Sequence, residues 1–558
     1  MLACAAPSGE APRQAAVPAQ ASGQPRTLIM VVNTEVANLA RKMIGPTNPE
    51  RTTRVFNADL ALIDGRGEPR PYLAAELPKL NTDTWRVLPD GRMETTWKLR
   101  PGLTWHDGAP LTANDFAFAY RLYSSPGLSV FVPKPQDKVD DVVAVDPLTL
   151  LVRWRSPFLF DGEGLDPLPA HLMSQPFAAY EQDPVGGRDA FLAQRFWTTD
   201  YVGAGPYRLS NWEPSSHLEG TAFAGHALGK PKIDRVVIRL MNDENTVLTN
   251  LLAGSVHLTM AQAIRFEHAM VLRREWGLDK GEGAGRVLFL ATSTTTAVPQ
   301  HRPEYQKAPA LLDVRVRRAL FNALDRDAIN DGIFEGQSAP PDTFLGREVP
   351  YYAQVDAAIA KYPHDPRRAE QLMNEAGLRK DREGLFAAAN GERLQPTFWI
   401  SAGAQREQMM AIAVHGWKQA GVDMQPYVMP RALERDQEAR ATFPHILVHG
   451  ISLGESGAAE NTTAEQVPRP DNRWGGQNRG GWWSPEYERL WDAYNTTLNR
   501  QEQIGAVVQM MKIRSEEVVA FPLHYSVNVT AHLSSLRGPD VGISETTSHW
   551  NLHEWELN

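Results

Sequence analysis

The period of apolar and polar positions changes several times along the chain, and each change marks an element. TLIMVVNTE (residues 27–35) is an apolar run of strand length that ends in Asn33, Thr34 and Glu35, which predicts a buried strand opening onto a polar surface. VFNADLALID (55–64) predicts a second strand, closed by the turn Asp64-Gly65. Asp90-Gly91 and Asp146-Pro147 each separate two alternating segments, as hairpin turns do. Between them a short helix is predicted. Thr112 is its N-cap, Asp115 stands three residues on as capping partner, and Phe116, Ala119, Tyr120 and Tyr123 follow at helical spacing. Residues 56–199 therefore read as an α+β region built mainly of local hairpins.

Beyond residue 230 the period alternates between two and 3.6. Residues 237–241 read as a strand. Val247, Leu248, Leu251 and Leu252 form a helical face stopped by Gly254, and 256–259 resume as a strand. This β-α-β rhythm predicts a mixed or parallel sheet with a helix laid on it. It recurs over 286–500. Asp313, Asp325 and Asp365 are N-cap candidates, the last followed by Pro366 at the first helical position. A strand at 395–400, a helix at 402–421 ended by Gly421, and a strand from Val422 continue the pattern. Ser484-Pro485 opens a helix that turns Tyr487, Leu490, Trp491 and Tyr494 inward, and a further helix around 504–519 leads into the strand AFPLHYSVNV. The fold class is α/β with an α+β insertion.

Composition narrows the function. The 558 residues amount to three or four domains, and 42% hydrophobic with 22% charged residues is ordinary for a globular protein. A net charge of −9 argues against a nucleic-acid partner, which would want a basic face. No apolar stretch reaches the 18 or so residues of a membrane-spanning helix. The one cysteine, Cys4, stands in Leu2-Ala3-Cys4, which reads as the end of a bacterial lipobox; the alternative is a chance Cys near an ordinary start. The lipobox reading makes Cys4 a lipidation site, places the rest of the signal upstream of Met1, and makes the Ala-, Pro- and Gln-rich residues 1–25 a disordered tether.

Six strings carry a resemblance: LRPGLTWHDGAPLTANDFAFAY (99–120), VGAGPYRLSNW (202–212), GKPKIDRVVIRLMNDENTVLTNLLAG (229–254), LDVRVRRALFNALDRDAIN (312–330), HDPRRAEQLMNEAGL (364–378) and GGWWSPEYERLWDAYNTTLNRQEQ (480–503). Together they resemble the solute-binding proteins of peptide-type ABC importers, the extracellular family 5 class of oligopeptide, dipeptide and nickel binders. The resemblance implies a periplasmic-binding-protein-like fold, two α/β lobes around a hinge cleft with a third lobe inserted. Lobe I would comprise 26–55, 200–285 and 505–558, lobe II 56–199, and lobe III 286–504. It also implies a monomer without cofactor or catalytic residue, periplasmic or at the cell surface, that captures a peptide or peptide-like solute and delivers it to an ABC permease.

The same resemblance implies ligand contacts from Asn33, Thr34 and Glu35; from Gly450, Ile451 and Ser452; and from Arg473, Trp474, Gly476, Gln477 and Asn478. A Trp offers a rigid apolar face with one donor, which suits varied ligands, although Trp474 could equally be a packing residue and Asn33–Glu35 a turn. One departure stands out. Peptide binders of this class place an Asp near the loop after residue 454 to pair with the ligand ammonium, and residues 444–463 contain none. Glu455 is the nearest acid. A buried ammonium without a carboxylate is expensive, so either Glu455 or Glu35 substitutes or the ligand is not a free-amine peptide.

Two rival chemistries have partial motifs. Gly450-Ile451-Ser452-Leu453-Gly454 matches G-x-S-x-G, the nucleophile elbow of a secreted serine hydrolase, but the following residues lack apolar positions at helical spacing. His445 with His449, and His549 with His553, are spaced four apart, which a metal or metal-complex binder could use, yet neither Cys nor HExxH supports them. Arg315, Arg317 and Arg318 read as a solvated face or as ion pairs to Asp325 and Asp327. Trp105-His106-Asp107 reads as a turn.

Overall fold

The structure, a computed structural model, describes residues 25–40, 54–125, 127–128, 135–160, 162–260, 263–278, 283–540, 542 and 549–558. Cys4 and all but the last residue of the tether expected over 1–25 lie outside the described residues. Among the described residues no helix is long and apolar enough to cross a membrane.

One ten-stranded sheet organises the chain. Its strands, numbered here in chain order, are β1 (Thr27–Val32), β2 (Tyr207–Glu213), β3 (His217–Ala222), β4 (Arg235–Leu240), β5 (Leu258–Thr259), β6 (Gly285–Pro299), β7 (Thr397–Ser401), β8 (Gln425–Met429), β9 (Ile446–Ser452) and β10 (Phe521–Leu533). They lie in the order β8-β7-β9-β6-β10-β5-β1-β4-β3-β2. β1 runs parallel to β4 and β5, and β7 parallel to β8 and β9, so each half of the sheet contains a parallel three-stranded unit, extended on the β4 side by the antiparallel strands β3 and β2.

The two ends meet in β6 and β10. These strands of 15 and 13 residues pair antiparallel from Gly285↔Leu533 to Ala297↔Phe521. The first half of β6 belongs to the β1 side. Its second half pairs with β9, from Ser293↔Ser452 to Pro299↔Ile446. The pairing slips between Ala291 and Ser293, where one unit passes into the other. A bulge there frees a residue from the ladder and increases the local twist. The molecule is thus two α/β lobes joined by a two-stranded ribbon that bends at its middle.

Burial follows strand period. Leu28, Met30 and Val32 enter one core, while Val31 enters a second with Val247, Leu251 and Leu272. Lobe III has two large cores, one around Leu320, Phe398, Ile400 and Trp417, the other around Val298, Ile451, Tyr487 and Met510, and a small one of Met429, Phe443 and Leu447. The inserted region has a four-stranded antiparallel sheet (Trp85–Val87, Met93–Lys98, Thr149–Trp154 and Val139–Asp146) over Trp97 and Trp154. Its helices Ala113–Tyr123 and Ala170–Gln182 send Ala119, Leu122, Tyr123 and Phe177 into the lobe I core, so the insertion is fused to lobe I rather than set apart.

Several expectations change. Residues 55–64 are not one strand: 54–56 are helical and only Ala61–Ile63 is extended, because Val55 and Phe56 dive into the lobe I core before the chain pairs with Pro69–Pro71. The helix expected at 504–519 is Arg500–Glu516, and Val507, Met510 and Met511 fill the core beside Tyr487. Val507, Met510, Met511, Val519 and Ala520, expected in lobe I, thus share one core with Val298, Ile451 and Tyr487. The three arginines do not pair with Asp325 or Asp327. Arg315 grips Asp313 at 2.6 Å, while Arg317 and Arg318 donate to the carbonyls of Glu517 (2.8 Å) and Glu516 (2.6 Å). Those carbonyls close the helix 500–516, and a guanidinium there also suits the helix dipole.

The turn at Trp105-His106-Asp107 holds the inserted region to lobe I. Gly203 N–H donates to His106 Nδ1 (3.2 Å), which leaves Nε2–H to donate to the Gly205 carbonyl (3.0 Å). Burial pushes the imidazole down to about 4, so it is neutral at pH 7. Asp107 accepts from Ala109 N–H at 3.0 Å and closes the turn.

Candidate functional site

The strand register places the expected contact segments on opposite sides of the ribbon. Met30 lies level with Leu258, Leu258 with His532, and His532 with Arg286, so Asn33 stands at about the level of Phe289. Ser452 pairs with Ser293. The two segments are offset by about 13 Å along the ribbon and by four strand positions, about 19 Å, across it. Both chain ends open toward the bend, which makes the interlobe crevice the candidate site.

A cavity of about 410 Å³ lies on the ribbon. Phe289, Leu290 and Ala291 of β6 and Tyr525 of β10 form its floor, Ser338, Ala339, Arg347 and Glu348 of lobe III one wall, and Gly542 of the C-terminal segment the other. The volume suits a small organic solute. Burial pushes the Tyr525 hydroxyl up to about 12, so it remains a neutral donor. Arg347 is anchored to the Pro340 carbonyl at 3.3 Å. None of these lining residues was singled out from sequence. Tyr525 sits in a string read only as a buried strand, and the loop 338–348 carries only Pro and Gly turn signals. A cavity assembled from three distant segments has no period of its own.

The expected contact residues fall into two groups. Asn33, Thr34, Glu35, Gly450, Ser452, Arg473, Trp474 and Gln477 are exposed or half-buried. Glu35 accepts from the Ser215 N–H at 2.9 Å, which ties the loop after β1 to the β2–β3 turn. Arg473 and Trp474 are both left-handed, with φ of 54° and 60°. Such conformations cost non-glycine residues about 1 kcal/mol or more each, and they turn the loop so that the Trp474 N–H reaches the Arg469 carbonyl at 2.7 Å.

Four residues are occupied by the fold. Ile451 is buried in the core. Asn478, 5% exposed, gives its side-chain amide to the carbonyls of Thr462 (3.1 Å), Thr463 (3.0 Å) and Trp482 (2.8 Å), and so fastens the loop. Gly476 has φ +115°, and a Cβ there would strike the Gln466 carbonyl. Glu455 takes both ends of the Arg500 guanidinium at 2.6 Å and the Tyr351 hydroxyl at 2.7 Å. The paired carboxylate holds Arg500 above its ordinary range. Glu455 therefore does not offer a spare charge to a ligand ammonium.

Arg302 fixes the same loop from below. It donates to the Gln300 side-chain oxygen (3.0 Å) and to the carbonyls of Pro468 (2.9 Å), Arg479 (3.0 Å) and Ala441. One guanidinium thus ties three separate stretches of backbone beside the crevice.

The rival chemistries find little geometry. Ser452 remains in the ladder opposite Ser293 and is not among the positive-φ residues, whereas an elbow Ser sits on a strained turn. A six-residue helix, Glu455–Glu460, does follow it, contrary to expectation, because Gly454 at φ 153° starts the turn where the sequence offered no apolar face. Among the described residues no three His, Cys, Asp or Glu side chains converge as a metal site. His445 accepts the Thr397 N–H at 3.0 Å, and His449 Nδ1 lies 2.9 Å from the Gly450 carbonyl.

Comparison with known proteins agrees with the architecture. The structure superposes on the oligopeptide-binding protein of Thermus thermophilus, solved with a pentapeptide, at TM-score 0.73 and 22% identity, covering 95% of this chain and 96% of that one. It superposes on NikZ of Campylobacter jejuni, solved with Ni(L-His), at TM-score 0.72 and 19% identity, covering 95% and 99%. In sequence it is 27% identical over 296 residues to a glutathione-binding protein of Pectobacterium atrosepticum (53% of this chain, 52% of the relative) and 22% identical over 349 residues to the oligopeptide-binding protein AppA of Bacillus subtilis (61% and 59%). The chain spans about half the length of the first curated relatives it matches. A family model described as bacterial extracellular solute-binding proteins, family 5 Middle, matches residues 76–458. With that match over most of its length, and with two lobes hinged on a paired ribbon, the chain belongs to the family 5 extracellular solute-binding proteins.

Proposed function

We propose that the protein captures a small organic solute, peptide-like in size, in the crevice above the β6–β10 ribbon, and delivers it unchanged to an ABC-type permease outside the cytoplasm. The observation that carries this is the ribbon itself. Two strands shared by both lobes, with a slip in register at their midpoint, permit rotation without breaking either lobe. A solute that touches both lobes favours the closed form by its extra affinity for that form and by no more. The contact set is Asn33, Thr34 and Glu35 from lobe I, Gly450, Ser452, Arg473, Trp474 and Gln477 from lobe III, and the cavity residues Arg347 and Tyr525.

The relatives solved or named with peptides, glutathione and a nickel complex support the solute-binding role and leave ligand choice to local chemistry. With Glu455 engaged by Arg500 and no Asp between 444 and 463, a ligand ammonium would take its carboxylate from Glu35 or from Glu348 of the cavity wall. Lipidation at Cys4 would tether the protein to a membrane surface, and metabolic labelling with a fatty-acid analogue, lost in Cys4→Ala, checks it.

The function is tested by mass spectrometry of small molecules released from native protein, followed by titration of the compound into stripped protein with small-angle scattering. Saturable binding, a smaller radius of gyration and recovery of the compound unaltered are expected. A chemically changed product, or binding without closure, would refute the proposal.

A further inference from the structure

Two phenylalanine rings meet across the lobes. Phe266 opens the lobe I helix Phe266–Glu275, and Phe334 closes the lobe III helix Arg326–Phe334. Their ring centroids are 5.2 Å apart with planes at 90°, an attractive edge-to-face contact. Each has a further ring behind it on its own side. Phe289 of β6 lies 5.6 Å from Phe266, and His524 of β10 lies 5.4 Å from Phe334. Phe266, Phe334 and His524 are 6%, 2% and 4% exposed. Yet Phe266 stands outside both lobe I cores, and Phe334 outside the cores of lobe III. The opposite lobe and the ribbon, rather than their own cores, keep water from these two rings.

The four rings bridge the bend of the ribbon. Phe289 pairs with Val529 before the register slip, and His524 pairs with Thr295 after it. From Phe289 to Thr295 is about 20 Å of strand. Between those positions the contacts leave the ribbon, cross from one lobe to the other at Phe266–Phe334, and return. Both helices are fastened to their lobes. Ala269 and Leu272 sit in the core with Val31, and Arg265 at the helix start grips Glu244 at 2.7 Å. Gln408 of the helix Ala404–Ala420 donates to the Gly332 carbonyl at 2.7 Å. Rotation about the ribbon therefore acts directly on the Phe266–Phe334 contact. A gap of about 1 Å forfeits roughly half of such an attraction, so the contact is either made or broken.

We propose that Phe266 and Phe334 form a clasp that holds the two lobes in the compact arrangement described here before any solute arrives, and so sets the ratio of compact to open molecules. It rests on the reading of two lobes that turn about the ribbon, and not on what they capture. The clasp also reaches the cavity. Phe289 is part of the cavity floor, and the loop that follows Phe334 supplies Ser338, Ala339, Arg347 and Glu348 to its wall. A solute resting on both adds to a preference that the clasp has already set. Its apparent affinity then rises with the compact fraction.

The test uses the full chain with Cys4→Ser, stripped of small molecules. Spin labels are placed at Val185→Cys, a position 92% exposed on the inserted region, and at Lys418→Cys on the exposed surface of lobe III. Pulsed double electron–electron resonance reads the distance between them for the native ring pair, Phe266→Ala, Phe334→Ala and the double variant. The native pair should give mainly one short distance. Each single substitution should raise the ratio of long to short distances at least about tenfold, since it loses both the ring contact and the shared burial. The double variant should add no more than about twofold, because either change alone removes the same contact. An unchanged ratio, a move to shorter distances, or single effects that multiply in the double variant would overturn the clasp. Where an alanine variant does not fold, Phe266→Leu or Phe334→Leu keeps an apolar side chain and loses the ring, and a shift below about twofold overturns the clasp in the same way. With no solute in any sample, failure here leaves solute capture to be judged by its own titration.

Discussion

Glu455→Gln separates the structural from the ligand-binding role of the acid that opens the helix after β9. Its carboxylate is 13% exposed and accepts two Arg500 bonds of 2.6 Å and one Tyr351 bond of 2.7 Å. Glutamine keeps one acceptor oxygen, turns the other toward Arg500 as a donor, and removes the charge. Charge-assisted bonds contribute about 1.5–3 kcal/mol each against about 1 for neutral ones. Arg500 is 54% exposed, so water takes up part of what it loses. The net cost is about 2 kcal/mol, which lowers the lobe III transition by roughly 4–8 °C. Differential scanning calorimetry measures it, and titration of the co-purified solute measures binding in the same samples. The fall in melting temperature should come with at most a few-fold change in affinity. An unchanged transition with affinity lost tenfold or more would show that Glu455 serves the ligand, and the reasoning would fail.

Three further outcomes follow from the packing. Arg302→Met strips donors from the Pro468, Ala441 and Arg479 carbonyls and should cost about 3 kcal/mol in urea denaturation, with faster amide exchange confined to residues 464–481. Gly205→Ala drives a methyl into the backbone at Phe56 and Asn57, and should cost about 3 kcal/mol, seen as a lower melting temperature, whereas Gly229→Ala meets nothing within 4 Å and should cost only its strained φ, about 1 kcal/mol. Acidification should destabilise the fold: burial holds His106 and His524 down to about 4 and His301 down to about 3, while the unfolded chain takes up protons near 6.5. Their contribution is complete above pH 6.5 and fades as pH falls toward 4, at about 1.4 kcal/mol per pH unit for each group, so urea midpoints should drop steeply between pH 6.5 and 4.5 and stay flat from 7 to 8.

Local features were legible in the sequence because they are local. Asp313, Asp325, Asp365 and Ser484 cap their helices through the N–H groups of Arg315, Ala328, Arg368 and Tyr487. The hairpins at Asp90-Gly91 and Asp146-Pro147 and the stop at Gly421 follow from turn chemistry within a few residues. The discontinuous lobes rested on resemblance, since nothing within β1 says that its neighbour is β4, 208 residues on. The site was least legible. Glu455 looks available in sequence because its partners are 45 and 104 residues away. Asn478 looks like a binding amide because the three carbonyls it serves are invisible until the loop closes.

The long ribbon also sets when the molecule can exist. β10 supplies the centre of the sheet, between β6 and β5, yet it is made from residues 521–533 of 558. Until a ribosome has delivered those residues, neither half can complete its sheet, and β1 waits beside strands two hundred positions downstream. Pairings of such long range form slowly and leave edges open to wrong partners. The central strand of the sheet is therefore the last of its ten to be synthesised, and the joining of the two halves is the last step that the order of the chain allows.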